Sequence, residues 1–291
     1  MCNNGRVIRT ATGGFEIGYR RMDWETDARD YFSWVAQQGV STVDLRRDTR
    51  EVGPWVREAG LEIGCVDLLD WDGLGDADAD VRARAAEKNA AYIADSAAFG
   101  AHRFMIVTYA EDQRETEARV AAFADGFRRL SPVLRETGSR VVIEGIPRGD
   151  VALWRPSSYR QLFAETAEDE IGINFDPSHL WRARINPLRF LAEFGGRVFH
   201  SHAKDTERIP DAEYEWGSEA AYDHPQTRFS GRTWRYVLPG RGDGSWPELL
   251  RALAATGYTG RLVIEPEDDR LVGIPAVRAA TVESGEFLAK C

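Results

Sequence analysis

The strongest constraint on this chain is a repeated unit: a short apolar strand, an amphipathic helix, and a glycine before the next strand. Strands are predicted over FEIGYR (15–20), STVDLRR (41–47), LEIGCVDLL (61–69), HRFMIVTY (102–109), RVVIEGI (140–146), IGINFD (171–176), RVFHSHAKD (197–205) and RLVIEPE (261–267). Helical segments alternate with them, including DARDYFSWVAQQG, ADVRARAAEKNAAYIADSAAFG and PLRFLAEFGG. WPELLRALAATG precedes the last strand, and a final helix lies near 274–290. The helix after the fourth strand carries Val120, Phe123, Phe127, Leu130 and Leu134 on one stripe at helical spacing. Pro132 inside it is expected to kink or split it, because proline has no N–H for the ladder. PSSYRQLFAETA opens on Pro-Ser-Ser, which reads as an N-cap region. Gly39, Gly60, Gly100, Gly138 and Gly257 stand where left-handed C-caps require glycine.

Eight strand-helix units fit a single (β/α)8 TIM barrel over residues 1–291. An open doubly wound sheet would need a phosphate-binding GxGxxG after the first strand. TGGFEIG precedes and overlaps that strand instead. No linker-like or low-complexity segment divides the chain. One interval breaks the rhythm: the forty residues from Thr206 to Ser245 lack clear periodicity, where a typical loop has a few. They include Tyr214, Trp216, Tyr222, Phe229, Trp234 and Tyr236. A long loop on a barrel serves the reaction site or a subunit contact.

Composition removes several function classes. The formal net charge is −10, and Lys and Arg are spread along the chain, which argues against a nucleic-acid partner. No apolar run approaches a bilayer span, and the N-terminus lacks a secretory h-region. The three cysteines, Cys2, Cys65 and Cys291, have no CxxC spacing, which suits a reducing cytoplasm.

The chemistry gathers at the ends of the later strands, where a barrel of this kind lines its reaction site. The fifth strand ends on Glu144, and the sixth on Asp176 with His179 three residues on. The seventh carries His200, His202 and Lys204 on alternate positions, and the eighth ends on Glu265. Alone, each has an ordinary explanation as a cap, a turn residue or a core histidine. Four consecutive strands delivering ligand types at one end are harder to explain that way. Burying three carboxylates side by side without a cation costs on the order of several kcal/mol. A hard divalent ion such as Mn²⁺, Mg²⁺ or Co²⁺ resolves that cost.

On the pieces VVIEG, FDPSH, HAKD, GRGDGSWPELLRALAATGYTG and LVIEPE, the chain resembles the sugar phosphate isomerase/epimerase superfamily. These are the xylose-isomerase-like barrels of the AP-endonuclease family 2 type. The resemblance implies that Glu144, Asp176, His202 and Glu265 are metal ligands, with Mn²⁺ as the first choice. It implies that His179, and Arg208 six residues after His202, bind substrate oxygens. It also implies a homo-oligomer or a complex with a second subunit. The nuclease branch fits poorly, since a trinuclear zinc site needs histidines on the earlier strands and only His102 lies outside 179–224.

The implied reaction is proton abstraction next to a carbonyl through a metal-stabilised enediolate, on a keto-sugar or keto-polyol. Glu144 and Glu265 are the candidates for base and acid, with His179 or Lys204 able to share the proton work. Lys204 is otherwise a contact for substrate. An isomerase or epimerase is the first reading. The alternative is a lyase that eliminates a leaving group from a 3-oxo-glycoside, as C-glycoside deglycosidases do, or dehydrates a keto-inositol. A sugar-binding barrel without turnover is a third reading, against which the intact ligand set counts. GRGDG (240–244) is too weak a motif to support a phosphorylated substrate.

Overall fold

A computed structural model describes residues 7–110, 114–217 and 227–291. Eight parallel strands close into a barrel: β1 (Ile17–Arg20), β2 (Thr42–Leu45), β3 (Glu62–Asp67), β4 (Arg103–Ile106), β5 (Arg140–Ile143), β6 (Ile171–Phe175), β7 (Val198–Ala203) and β10 (Leu262–Ile264). β10 pairs back onto β1, with Ile17 opposite Leu262, so the sheet has no open edge. Around it run α1 (Ala28–Gln37), α2 (Thr49–Glu58), α3 (Ala79–Ala97), α4 (Thr116–Thr137), α5 (Pro156–Glu165), α6 (Pro177–Arg182), α7 (Pro187–Phe194), α8 (Pro210–Trp216), α9 (Trp246–Ala255) and α10 (Ile274–Lys290). This is the (β/α)8 TIM barrel that the repeat predicts. Among the described residues no helix is long and apolar enough to cross a membrane.

Strand parity divides the core in two. Tyr19, Val43, Leu45, Val66, Phe104, Ile106, Val141, Ile143 and Ile264 join the large cluster between strands and helices. The residues between them face the barrel interior, where Cys65, Met105 and Val142 form their own small cluster. Stepping two residues along each inward row leads to the C-terminal mouth. The step gives Arg20 on β1, Asp44 on β2, Asp67 on β3, Glu144 after β5, Asp176 after β6, His202 then Lys204 from β7, and Glu265 after β10. The β4 row ends on Val107, which joins an apolar wall with Val151, Trp154 and Ala183.

Several local expectations need correction. α4 runs unbroken through Pro132. Pro132 is exposed, so water can solvate the carbonyl that its missing N–H leaves free. α5 starts with Pro156 at its first turn and Arg155 as N-cap, without a side-chain cap; Ser158 instead donates to the Arg155 carbonyl. β7 stops at Ala203 rather than 205, and Asp205 opens a new strand.

The interval 206–245 also has regular structure that its sequence did not announce. β8 (Asp205–Arg208) and β9 (Trp234–Val237) form an antiparallel ribbon, with Thr206 opposite Tyr236 and Arg208 opposite Trp234. The α8 helix lies between them in the chain. Tyr222, named with the interval's aromatics, and Cys2 lie outside the described residues.

Candidate metal centre

Glu144, Asp176, His202 and Glu265 converge at the mouth. One ligand-type atom from each lies within 4.8 Å of the others. All four are buried, at 3%, 4%, 0% and 4% exposure. The backbone explains the convergence: adjacent parallel strands bring their C-terminal ends to one rim, and parity turns these side chains inward. Asp176 is also the N-cap of α6; Oδ1 accepts from Ser178 N at 2.9 Å, which fixes the carboxylate and leaves Oδ2 toward the mouth.

His202 shows one ring nitrogen to each side. Nδ1 lies 3.2 Å from Glu144 Oε1 and 3.6 Å from Glu265 Oε2, and Asn174 Nδ2 is 3.0 Å away. Nε2 lies 3.1 Å from Asp44 Oδ2. Burial alone would lower the His202 pKa, but the charges of Glu265 and Glu144 outweigh it and raise the ring well above its ordinary value. The pocket therefore favours positive charge at this point. Burial would likewise raise Glu144, yet the charge of His202 holds it well below the usual carboxylate range.

Lys204 reaches the same point from one pleat above. Its Nζ is 2.6 Å from Glu265 Oε2, 2.8 Å from Glu267 Oε2 and 3.0 Å from Asp176 Oδ2. His179 Nε2 is 3.4 Å from both Glu144 Oε1 and Asp176 Oδ2, without a hydrogen bond, while Nδ1 meets the Tyr236 hydroxyl at 2.6 Å. Arg208 is the candidate that the structure does not bring to this cluster. It is half exposed, its Nε pairs with Asp243 Oδ2 at 3.1 Å, and it borders a separate cleft of about 360 Å³ beside Trp181 and Asn186. Along β8 burial falls from Thr206, tied to the Ser178 carbonyl, to the exposed Arg208.

Several charged neighbours were not singled out in the sequence. Asp44 Oδ2 accepts from His200 Nε2 at 2.6 Å as well as facing His202, so the deeper histidine packs against the centre's supporting aspartate. Arg20, 1% exposed, donates to Asp67 Oδ1 at 2.7 Å and pairs with Glu265 Oε1 at 3.0 Å. Arg20, Asp44 and Asp67 carry the same signal as Glu144, a charge on an apolar strand. Of six carboxylates gathered here, Asp67 and Glu265 pair with Arg20, and Asp176, Glu265 and Glu267 with Lys204; Asp67 also meets the half-buried Arg46, while Asp44 and Glu144 pair with histidines. That excess of negative charge, with oxygen donors and one imidazole in reach of one point, suits a hard divalent cation. Beyond the carboxylates, Trp71 stacks near Tyr109 at 6.1 Å between ring centres, and Arg47 lies over Trp71.

Comparison with known proteins agrees with this architecture. Residues 16–291 match the family model described as a xylose isomerase-like TIM barrel. The inosose dehydratase of Lacticaseibacillus casei is 24% identical over 146 residues, which is 50% of this chain and 46% of that protein. The chain thus aligns with about half the length of the curated relatives it matches. Among solved structures, the apo 3-keto-D-glucoside 4-epimerase YcjR from E. coli superimposes with a TM-score of 0.69 at 16% identity, covering 94% of this chain and 99% of that one. The IolI protein with a bound zinc atom gives a TM-score of 0.68 at 13% identity, over 94% of both chains. At these identities the solved structures speak to the fold.

Proposed function

The chain belongs to the xylose isomerase-like TIM-barrel family, and on that premise we propose that it is a divalent-metal-dependent isomerase or epimerase of a keto-sugar or keto-polyol. The observation that carries the reading is the convergence of Glu144, Asp176, His202 and Glu265, buried and within 4.8 Å of one another. These four would hold the ion, with Mn²⁺ first and Mg²⁺ or Co²⁺ as alternatives. When bound, such an ion supplies Lewis acidity to a carbonyl and stabilises negative charge developing on its oxygen.

The proton work falls to the chain's own carboxylates. Each has two oxygens, so one can serve a cation while the other handles a proton. Glu265 has Oε1 against Arg20 and Oε2 against Lys204, which disfavours protonation. Glu144 meets imidazoles rather than fixed cations, at His202 and His179. In this proposal Glu144 removes the proton beside the carbonyl, and Glu265 is the opposed group that receives or returns one once Lys204 turns from its Oε2 to a substrate oxygen. Lys204 and His179 meet substrate oxygens. The Trp71–Tyr109 shelf offers an apolar face for a sugar ring.

A second reading is elimination from the same carbanion, as in a dehydratase or a glycoside-cleaving lyase. What favours it is the sequence match to inosose dehydratases. Metal-loaded protein in D₂O separates the two. An isomerase or epimerase introduces deuterium into recovered ketose, whereas a lyase releases a dehydrated product or an aglycone. Absence of both across a keto-sugar panel overturns the enzymatic proposal. A homo-oligomer or a complex with a second subunit belongs to the same proposal, and light scattering of the purified protein tests the former.

A further inference from the structure

His179 is held from behind by a residue of the ribbon. Tyr236 stands on β9 opposite Thr206 of β8, and its hydroxyl is 2.6 Å from His179 Nδ1. Arg182, three residues after His179 on α6, brings Nη1 to 2.9 Å from the same hydroxyl oxygen. The Arg182 guanidinium also lies 3.8 Å from the centre of the Trp234 ring, the neighbouring inward side chain of β9. Thr206 donates to the Ser178 carbonyl at 2.8 Å, which ties the ribbon to the helix bearing His179 and Arg182. The assembly is buried, with Tyr236 at 5%, Arg182 at 2% and His179 at 3% exposure.

Counting donors settles the direction of these bonds. A guanidinium has only N–H donors, so the Tyr236 oxygen accepts from Arg182. Among the described residues the hydroxyl has no third hydrogen-bond partner, so its single O–H is satisfied only by donating to His179, whose Nδ1 then accepts. A neutral imidazole has one protonated nitrogen, so the remaining proton sits on Nε2. That nitrogen has no hydrogen-bond partner and lies 3.4 Å from Glu144 Oε1 and from Asp176 Oδ2.

We propose that Arg182 and Tyr236 lock neutral His179 with its proton on Nε2, making it a fixed hydrogen-bond donor to a substrate oxygen beside Glu144. Tyr236 is a positioning residue in this arrangement, and the ribbon is a structural wall of the reaction site. The tautomer is inferred from the hydrogen bonds of the Tyr236 hydroxyl; the substrate-facing role rests on the function proposed above. An N–H aimed at an oxygen that gains negative charge stabilises that charge without first reorganising. The same N–H cannot be supplied by the other tautomer, because its proton would point at the phenol.

The test uses protein labelled with ¹⁵N at its five histidines and loaded with diamagnetic Mg²⁺. Long-range ¹H–¹⁵N correlation spectra distinguish protonated from bare ring nitrogens, and His179→Asn identifies the His179 signals. The expected wild-type pattern is a bare Nδ1 and a protonated Nε2. Tyr236→Phe deletes the donor, and the ring should become a mixture of tautomers while bound Mg²⁺ stays unchanged. Arg182→Met frees the phenol oxygen to accept, and it should also admit the second tautomer. A wild-type proton on Nδ1, a doubly protonated ring, or a pattern unmoved in both variants overturns the lock. With a keto-sugar that the wild type turns over, Tyr236→Phe should lower kcat about 10- to 100-fold. An undiminished kcat refutes the substrate-facing role. A wild type inert towards every keto-sugar instead defeats the proposed function, and the NMR pattern then judges the lock independently.

Discussion

Oδ2 of Asp44 lies 3.1 Å from Nε2 of His202, while Nδ1 of the same ring faces Glu144 and Glu265. A carboxylate at one nitrogen keeps the ring proton there and leaves the other lone pair for a cation, and such partners also raise ligand basicity. Asp44→Asn is therefore expected to weaken Mn²⁺ binding about 10- to 100-fold with little change in volume. Titration calorimetry reads this directly. A Kd within threefold of wild type would remove Asp44 from the centre.

Lys204 provides a second prediction, because it supplies positive charge to Asp176, Glu265 and Glu267 together. Removing one partner of a buried ion cluster commonly costs about 3–5 kcal/mol, since the remaining charges stay buried and uncompensated. Lys204→Met should show a loss of that order in urea unfolding with EDTA present. The loss should shrink when Mg²⁺ is saturating, because carboxylates released from Lys204 bind the ion more tightly and the variant gains more stability from it than wild type does. Equal losses with and without the ion would mean that Lys204 and the cation do not share these carboxylates.

The inward residues of the last four barrel strands were legible because ligand types recur there at one position, ending on Glu144, Asp176, His202 and Glu265. Arg20, Asp44 and Asp67 follow the same parity, but Asp44 and Asp67 fall inside the expected strands 41–47 and 61–69 rather than at their ends. Only barrel closure, which sets β10 beside β1, turns Arg20 into a partner of Glu265. Tyr236 was hidden for a related reason: its strand is four residues long and pairs with β8 across a long insertion. Such non-local pairing leaves little periodicity in any sequence window. Arg208 departs in the opposite direction from the ligand residues, lying outside their cluster. Its spacing from His202 is right, yet the ribbon carries it out to Asp243.

That displacement separates Arg208 from the ligand residues experimentally. Glu265→Gln and His202→Ala should each lose bound Mn²⁺ in elemental analysis after gel filtration. Arg208→Ala should retain it and, with a turned-over substrate, keep kcat/KM within about threefold, since its cost is limited to an exposed ion pair worth about 0–1 kcal/mol. Full metal content in both Glu265→Gln and His202→Ala would remove the centre from this site. A large loss of kcat/KM in Arg208→Ala would bring that side chain back to the substrate.

Asp205, the last residue of HAKD, has a structural task that can be measured apart from catalysis. Its carboxylate accepts from Trp246 Nε1 at 2.9 Å, Thr206 N at 2.8 Å, Gly244 N at 3.1 Å and Gly240 N at 3.3 Å. The glycine-rich turn at 240–244 thus wraps an anion that belongs to the chain itself. A Cβ at Gly242 would collide with that carboxylate, and Gly240 has φ +86°, so glycine is required at both places. Asp205→Ala leaves a buried indole N–H and three amides without their acceptor, each costing about 1–3 kcal/mol where water cannot replace it. Water can enter at the exposed turn, so the expected loss is about 3 kcal/mol rather than the full sum. Urea unfolding at fixed Mg²⁺ measures it, with bound metal expected to stay at the wild-type level. A loss under about 1 kcal/mol would show that Asp205 does not hold the turn.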